Sequence, residues 1–298
     1  MAAALGQRPL TYYALSEFPK PTIGSVDGLS LVRYRPESND SRSSGPALVI
    51  FCHGVMDRAA GFRRVARSLP MFDVICYDRR GYADSYGSTP CQTLAHSADD
   101  LRSVIEFGLD GSQLADRKLL LVGHSQGGLI AARALLDLQR EFSDSDLSAV
   151  AAVLWEPPMP WEPWYASSVG SSVLDLDPAA AAHRFLEAVL GPRLWSRVPQ
   201  AQRTLRERDG EALLADLRMS RRQEANLPLE EIRCAVVAGF GSESGTHNKR
   251  TAAEYARRCP NAELVEIPGA DHAVHLRLPA AFAEVIRASV QRLLPSAQ

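Results

Sequence analysis

Residues 119–128 read LLLVGHSQGG, a run of four apolar residues followed by Gly-His-Ser-Gln-Gly. A short, continuous apolar run of this kind fits a strand buried on both faces of a parallel sheet. From Leu129 to Leu138 the apolar positions go all round a helical repeat. Gly123-x-Ser125-x-Gly127 therefore stands on a strand-to-helix turn. A serine on so sharp a turn is held in a strained backbone conformation, and side chains two places before and after it would collide. Glycine at both places removes the collision. The helix that follows aims its unpaired N–H groups at charge developing beside the serine. Ser125 is the candidate nucleophile.

Outward from this turn, strands and helices alternate. Ala47–Cys52, Asp73–Tyr77 and Val150–Trp155 read as buried strands, and Ala235–Ala238 and Leu264–Ile267 as short late ones. Helical spacing is expected over Phe62–Leu69, Ser97–Phe107, Asn248–Arg258 and Pro279–Leu293. The alternation implies an α/β fold, a mostly parallel sheet with helices on both faces. The polar, turn-rich stretch Glu37–Gly45 separates two apolar runs and reads as a long hairpin tip. Between Pro157 and Pro228 no strand pattern occurs. That interval holds helical patterns such as Pro178–Leu190, with Asp177 as N-cap, and Glu211–Arg218. The expected organisation is a core over residues 1–157, an inserted helical cap over 158–228, and the rest of the core over 229–298. Trp155, Trp161, Trp164 and Tyr165 cluster where the cap begins. They are candidate substrate-binding residues, or they pack the cap onto the core.

Two more site elements follow from position. His53-Gly54-Val55 closes an early buried strand, where a backbone N–H can be brought opposite the nucleophile. The N–H groups of Val55 and Gln126 are the candidate oxyanion donors, and His53 reads as a structural histidine. Of seven histidines, only His272 and His275 lie in a loop after the last strand, in Pro268-Gly269-Ala270-Asp271-His272-Ala273-Val274-His275. His272 is the candidate base and His275 the alternative. Asp271 is its sequence neighbour, but adjacent side chains diverge.

Composition narrows the partners. Thirty-three Lys and Arg stand against 35 Asp and Glu, a formal charge of −2. That balance argues against nucleic acid or an anionic membrane surface and favours a neutral, apolar small molecule. Five cysteines without CxxC or metal-type spacing fit a reducing compartment. The N-terminal stretch lacks the pattern of a signal peptide, and no apolar run reaches the roughly 20 residues of a membrane span. A cytoplasmic protein is expected, and oligomeric state is left open.

Together these pieces resemble the α/β-hydrolase superfamily over nearly the whole chain. His53-Gly54, the Ser125 turn, the helical cap and Gly269-x-x-His272 carry the resemblance. Asp78-Arg79-Arg80-Gly81-Tyr82-Ala83-Asp84-Ser85 is similar to the family's D-x-R-G-x-G-x-S segment, with Ala83 where a second glycine is usual. The family's usual acid follows the strand after the cap as G-x-x-D, and here that stretch reads Gly239-Phe240-Gly241-Ser242-Glu243. Either Glu243 takes over, or the acid is Glu156, which closes the strand after the nucleophile helix. Haloalkane dehalogenases and zearalenone-type lactonases are similar at this second position. A carboxylate just beyond a buried strand also needs a partner, and Glu156 is the expected acid. The resemblance implies a serine hydrolase acting on esters or lactones through an acyl-enzyme, with no metal or organic cofactor. Thioesterases, carbon–carbon bond hydrolases and non-catalytic ligand receptors of the same fold are the alternatives.

Overall fold

The computed structural model describes residues 21–36, 45–165, 168–222 and 226–293. β1 (Thr22–Val26) and β2 (Leu29–Tyr34) form an antiparallel hairpin. The chain then alternates through β3 (Leu48–Cys52), α1 (Arg63–Arg67), β4 (Asp73–Tyr77), α2 (Leu94–Leu109), β5 (Leu119–His124), α3 (Gln126–Glu141), the short α4 (Asp144–Leu147) and β6 (Val150–Trp155). Five helices come next: α5 (Ser168–Ser171), α6 (Pro178–Leu190), α7 (Pro192–Trp195), α8 (Gln200–Glu207) and α9 (Gly210–Met219). β7 (Ala235–Gly241), α10 (Thr246–Arg258), β8 (Ala262–Ile267), α11 (Val274–Arg277) and α12 (Pro279–Leu293) complete it.

The eight strands form one sheet in the order β1-β2-β4-β3-β5-β6-β7-β8. β2 pairs antiparallel with β4, and every later pairing is parallel. Every residue of β3, β5 and β6 is buried, as continuous apolar runs require when helices cover both faces. Alternation splits each strand between two cores. Leu119, Leu121 and Leu154 face the side packed by α2 and α3, whereas Leu120, Val122, Val153 and Trp155 face the side packed by α1 and α12.

One expectation is corrected here. The runs flanking residues 37–45 are not hairpin partners, because β4 lies between β2 and β3. The tip itself falls largely outside the described residues. The actual hairpin is the two-residue Asp27-Gly28 turn, with φ of 48° and 80°. Asp-Gly supplies the left-handed pair that a tight hairpin matching the strand twist demands.

The chain order reverses between β3 and β5, which lie side by side. Loops leaving the carboxyl ends of neighbouring strands diverge at such a point and leave a crevice. β6 flanks β5 on its other side, so the ends of β3, β5 and β6 open onto one place. The helices between β6 and β7 have a core of their own: Val173, Ala181, Ala182, Leu186, Trp195 and Leu213 pack with Met56 and Tyr82 of the strand-end loops. Asp177 caps α6 by accepting from the Ala180 N–H at 3.1 Å. Among the described residues, no helix is long and apolar enough to cross a membrane.

Candidate active site

Ser125 is the residue between β5 and α3, at φ 52° and ψ −121°. That conformation costs an L-residue on the order of 1–3 kcal/mol, and two glycines make it possible. A Cβ on Gly123 would lie 2.5 Å from the Gly127 carbonyl oxygen, and one on Gly127 would lie 2.0 Å from the Cys52 carbonyl oxygen. The turn is thus wedged against the end of β3. Gly54 shows the same closeness from the other side, since a Cβ there would sit 3.0 Å from Ser125 Cβ.

Glu156 leaves β6 in the left-handed region at φ 47° and is wholly buried. Its Oε2 lies 2.6 Å from His272 Nδ1. Its Oε1 accepts the Gly241 N–H at 2.9 Å and the Ser244 hydroxyl at 2.5 Å. A carboxylate only accepts, so His272 donates to it through Nδ1. Asn248 Nδ2 stands 3.4 Å from the same Nδ1. The His272 side chain is about 41% exposed. Glu243, by contrast, is exposed on the loop beyond β7. Its backbone N–H donates to the Ala270 carbonyl.

The alternative histidine and its neighbours have other partners. His275 is buried with Nε2 2.9 Å from Asp57 Oδ2, and its ring stacks on Phe62 at 4.6 Å. Burial alone would raise the Asp57 carboxyl, but the hydrogen bond and charge of His275 hold it below the usual carboxylate range. Asp271 accepts from the Ala273 N–H and pairs with Arg277. His124 was not foreseen as a site residue. Its Nε2 contacts the His272 carbonyl oxygen at 2.7 Å. Burial and the neighbouring His275 and His272 push its pKa well below the ordinary value, so a neutral ring donates to that carbonyl.

A cavity of about 280 Å³ opens over these groups. Ser125, Glu156 and His272 line it together with Val55, Gln126 and Tyr165, and Phe185, Val189 and Leu217 come from the helical segment. Of the four aromatics singled out from sequence, only Tyr165 lies on its wall. Its ring meets His247 edge-on at 5.3 Å, and burial pushes its hydroxyl up to about 12. Trp155, expected at the substrate, does not line the cavity. Strand alternation turns it to the opposite core, where it packs against Phe282 and over Gly239, whose added Cβ would meet the indole at 2.6 Å. Trp161 and Trp164 pack against the α2–α3 core, and the Arg250 guanidinium lies 4.2 Å from the Trp164 ring. They join the segment to the sheet.

All five cysteines are buried free thiols. Burial raises all five thiols above the ordinary value, Cys52 to about 11, so none is an activated thiolate.

A family described as the alpha/beta hydrolase family matches residues 49–285. No curated protein matches the sequence. Many solved structures share the fold. A thermophilic esterase from Thermogutta terrifontis superposes with a TM-score of 0.64 at 18% identity, over 92% of this chain and 99% of that one. An esterase from Exiguobacterium antarcticum gives 0.67 at 18%, over 92% and 99%. Est816, described as an N-acyl homoserine lactone degrading enzyme, gives 0.63 at 18%, over 90% and 99%.

Proposed function

The chain belongs to the alpha/beta hydrolase family, and on that premise we propose that it is a serine hydrolase that cleaves a carboxylic ester or lactone of a fairly apolar small molecule through an acyl-enzyme. The observation that supports this most is the 2.6 Å contact between buried Glu156 and His272 on the cavity wall that strained Ser125 shares.

In this reading His272 Nε2 takes the proton of Ser125 as Oγ bonds to the carbonyl carbon. The charge that develops on the carbonyl oxygen is met by the N–H groups of Val55 and Gln126. Gln126 opens α3, and the first N–H groups of a helix have no acceptor within it. Collapse of the tetrahedral intermediate breaks the carbon–oxygen bond, and His272 returns its proton to the leaving alcohol. In a lactone that alcohol stays attached to the acyl group. Water then repeats the sequence and frees Ser125. Glu156 orients the imidazole and stabilises its charged form without taking the proton. Phe185, Val189 and Leu217 supply the apolar wall, so residues 158–228 act as the cap over the substrate.

The test is a fluorophosphonate probe followed by peptide mass spectrometry, with Ser125→Ala as control, alongside a panel of p-nitrophenyl esters, lactones and acyl-thioesters. An adduct on Ser125 with ester or lactone turnover supports the reading. A wild-type protein that takes no adduct and turns over nothing in the panel defeats it.

A further inference from the structure

Behind the loop that carries Val55 lies a buried polar assembly that the reaction scheme leaves unused. Arg79 and Asp216 are both buried, and their ion pair is bidentate. Nη1 meets Oδ1 at 2.9 Å and Nη2 meets Oδ2 at 2.6 Å. Asp216 belongs to α9, in the helical segment, and Tyr82 donates its hydroxyl to Oδ2 at 2.6 Å. The guanidinium also reaches the oxyanion loop. Nη2 donates to the Gly54 carbonyl at 3.1 Å and Nε to the His53 carbonyl at 2.9 Å.

His53 completes the arrangement. Its Nε2 accepts the Arg79 backbone N–H at 2.9 Å, which leaves Nδ1 as the protonated nitrogen, 2.8 Å from the Gly54 carbonyl oxygen. Burial and the nearby Arg79 lower its pKa to about 3, so the ring is neutral. The Gly54 carbonyl is therefore held by one charged and one neutral side-chain donor, with the Asp57 N–H a longer third at 3.4 Å. In a planar trans peptide the C=O and the following N–H point in opposite directions. Holding Gly54 O inward turns the Val55 N–H outward, to the side where Val55 lines the cavity with Ser125. A cation on the carbonyl also polarises the amide and strengthens the N–H as a donor. The same end of α9 reaches the second donor residue, because Ser220 Oγ lies 2.8 Å from Gln126 Oε1.

We propose that Arg79 and Asp216 are positioning residues that set the direction and donor strength of the Val55 N–H, so that the helical segment acts through α9 on oxyanion stabilisation as well as covering the substrate. This rests on the reading of Val55 as an oxyanion donor. A pair that merely pinned α9 to the sheet would affect melting without separating kcat from KM.

The decisive variant is Arg79→Met/Asp216→Leu. It removes both charges together, a change that is often neutral for stability at a buried pair, whereas removing one partner strands the other. Hydrolysis of a p-nitrophenyl ester is measured with inhibition by a trifluoromethyl ketone, whose adduct on serine places an oxyanion in the same site. The matched methyl ketone serves as reference. A folded double variant should lose at least about tenfold in kcat with KM nearly unchanged, and trifluoromethyl ketone affinity should fall by a similar factor while the methyl ketone's holds. A folded variant with kcat and trifluoromethyl ketone affinity within twofold of wild type overturns the proposal. If the double variant melts below the assay temperature, Arg79→Lys decides in the same assays. It keeps the charge but cannot span Gly54, His53 and Asp216 at once, and an unchanged kcat again overturns the proposal. Wild-type protein that neither hydrolyses ester nor labels on Ser125 would instead defeat the underlying serine-hydrolase reading.

Discussion

Glu156 Oε2 and His272 Nδ1 meet at 2.6 Å across 116 residues of sequence. Between them lie α9, β7 and β8, and the contact forms because β6, β7 and β8 are parallel neighbours whose carboxyl ends share one edge. The carboxylate is fully enclosed, so its attraction for a protonated imidazole is little screened by water. The first expected outcome concerns this pair. Glu156→Ala should lower ester turnover by about 10²–10⁴, the scale seen when a triad carboxylate is altered. Exposed Glu243→Ala should leave turnover within about twofold. Steady-state kinetics on one ester decides, and the reverse ranking would move the acid to Glu243.

The backbone of the turn at Ser125 makes a sharper demand. Gly127→Ala drives a methyl group to 2.0 Å from the Cys52 carbonyl oxygen, a backbone atom that cannot swing aside. The variant should fail to accumulate as folded protein, while Gly87→Ala, with nothing within 4 Å, should melt close to wild type. Circular dichroism melts of the two variants test the contrast.

The aromatics divide by role. Trp155→Ala should cost about 3–5 kcal/mol of stability, as deletion of a large core side chain does. Its effect should appear in urea unfolding. Tyr165→Ala, on the cavity wall, should instead raise KM for a bulky ester by about threefold or more with a smaller loss of stability. If Trp155→Ala unfolds at the wild-type urea midpoint, it is not part of the core.

Acid should weaken the fold before it reaches the ordinary carboxylate range. Burial holds His53 neutral, with its pKa lowered from 6.5 to about 3, and pushes His124 down as well. Both would protonate near pH 6.5 in the unfolded chain. Below that pH the unfolded state binds more protons, so this stability is complete above 6.5 and drains away as pH falls toward 3. Asp78, lifted to about 6 by burial, acts in the opposite sense between about 4 and 6 and offsets one of the two histidines. Each uncompensated proton corresponds to a slope of about 1.4 kcal/mol per pH unit. Urea midpoints should therefore fall between pH 6.5 and 5, and equal midpoints would mean that these rings reach water.

The fold was legible wherever burial left a pattern. Val150–Trp155, Pro178–Leu190 and Pro279–Leu293 appear with the boundaries read from their apolar runs and caps. The places of Ser125 on a strand-to-helix turn and of His272 in the loop after β8 were legible because glycine spacing and loop position are written locally. The contact between Glu156 and His272 was not, since it depends on which strand ends become neighbours. The hairpin was misplaced because polar composition at 37–45 outweighed the stronger local sign of Asp27-Gly28. Trp155 was misassigned for a related reason. Proximity to the cavity along the chain says nothing about which face of the sheet a side chain takes, and counting alternation from Leu154 would have turned it inward. His124 stands at a free position of the G-x-S-x-G stretch and the Ser244 hydroxyl in no motif, so residue spacing marked neither.

The switch point between β3 and β5 has a consequence for how this protein comes into being. Gly54, Ser125, Glu156, Gly241 and His272 stand at five different strand ends, so no short contiguous fragment brings them together. Their pairings are distant in sequence, and such contacts form late and slowly. His272 emerges last during synthesis, after the strained serine turn has been made. Under the proposed serine-hydrolase reading, hydrolysis would report that the whole sheet has closed, and a nascent or truncated chain would carry a serine with nothing to take its proton.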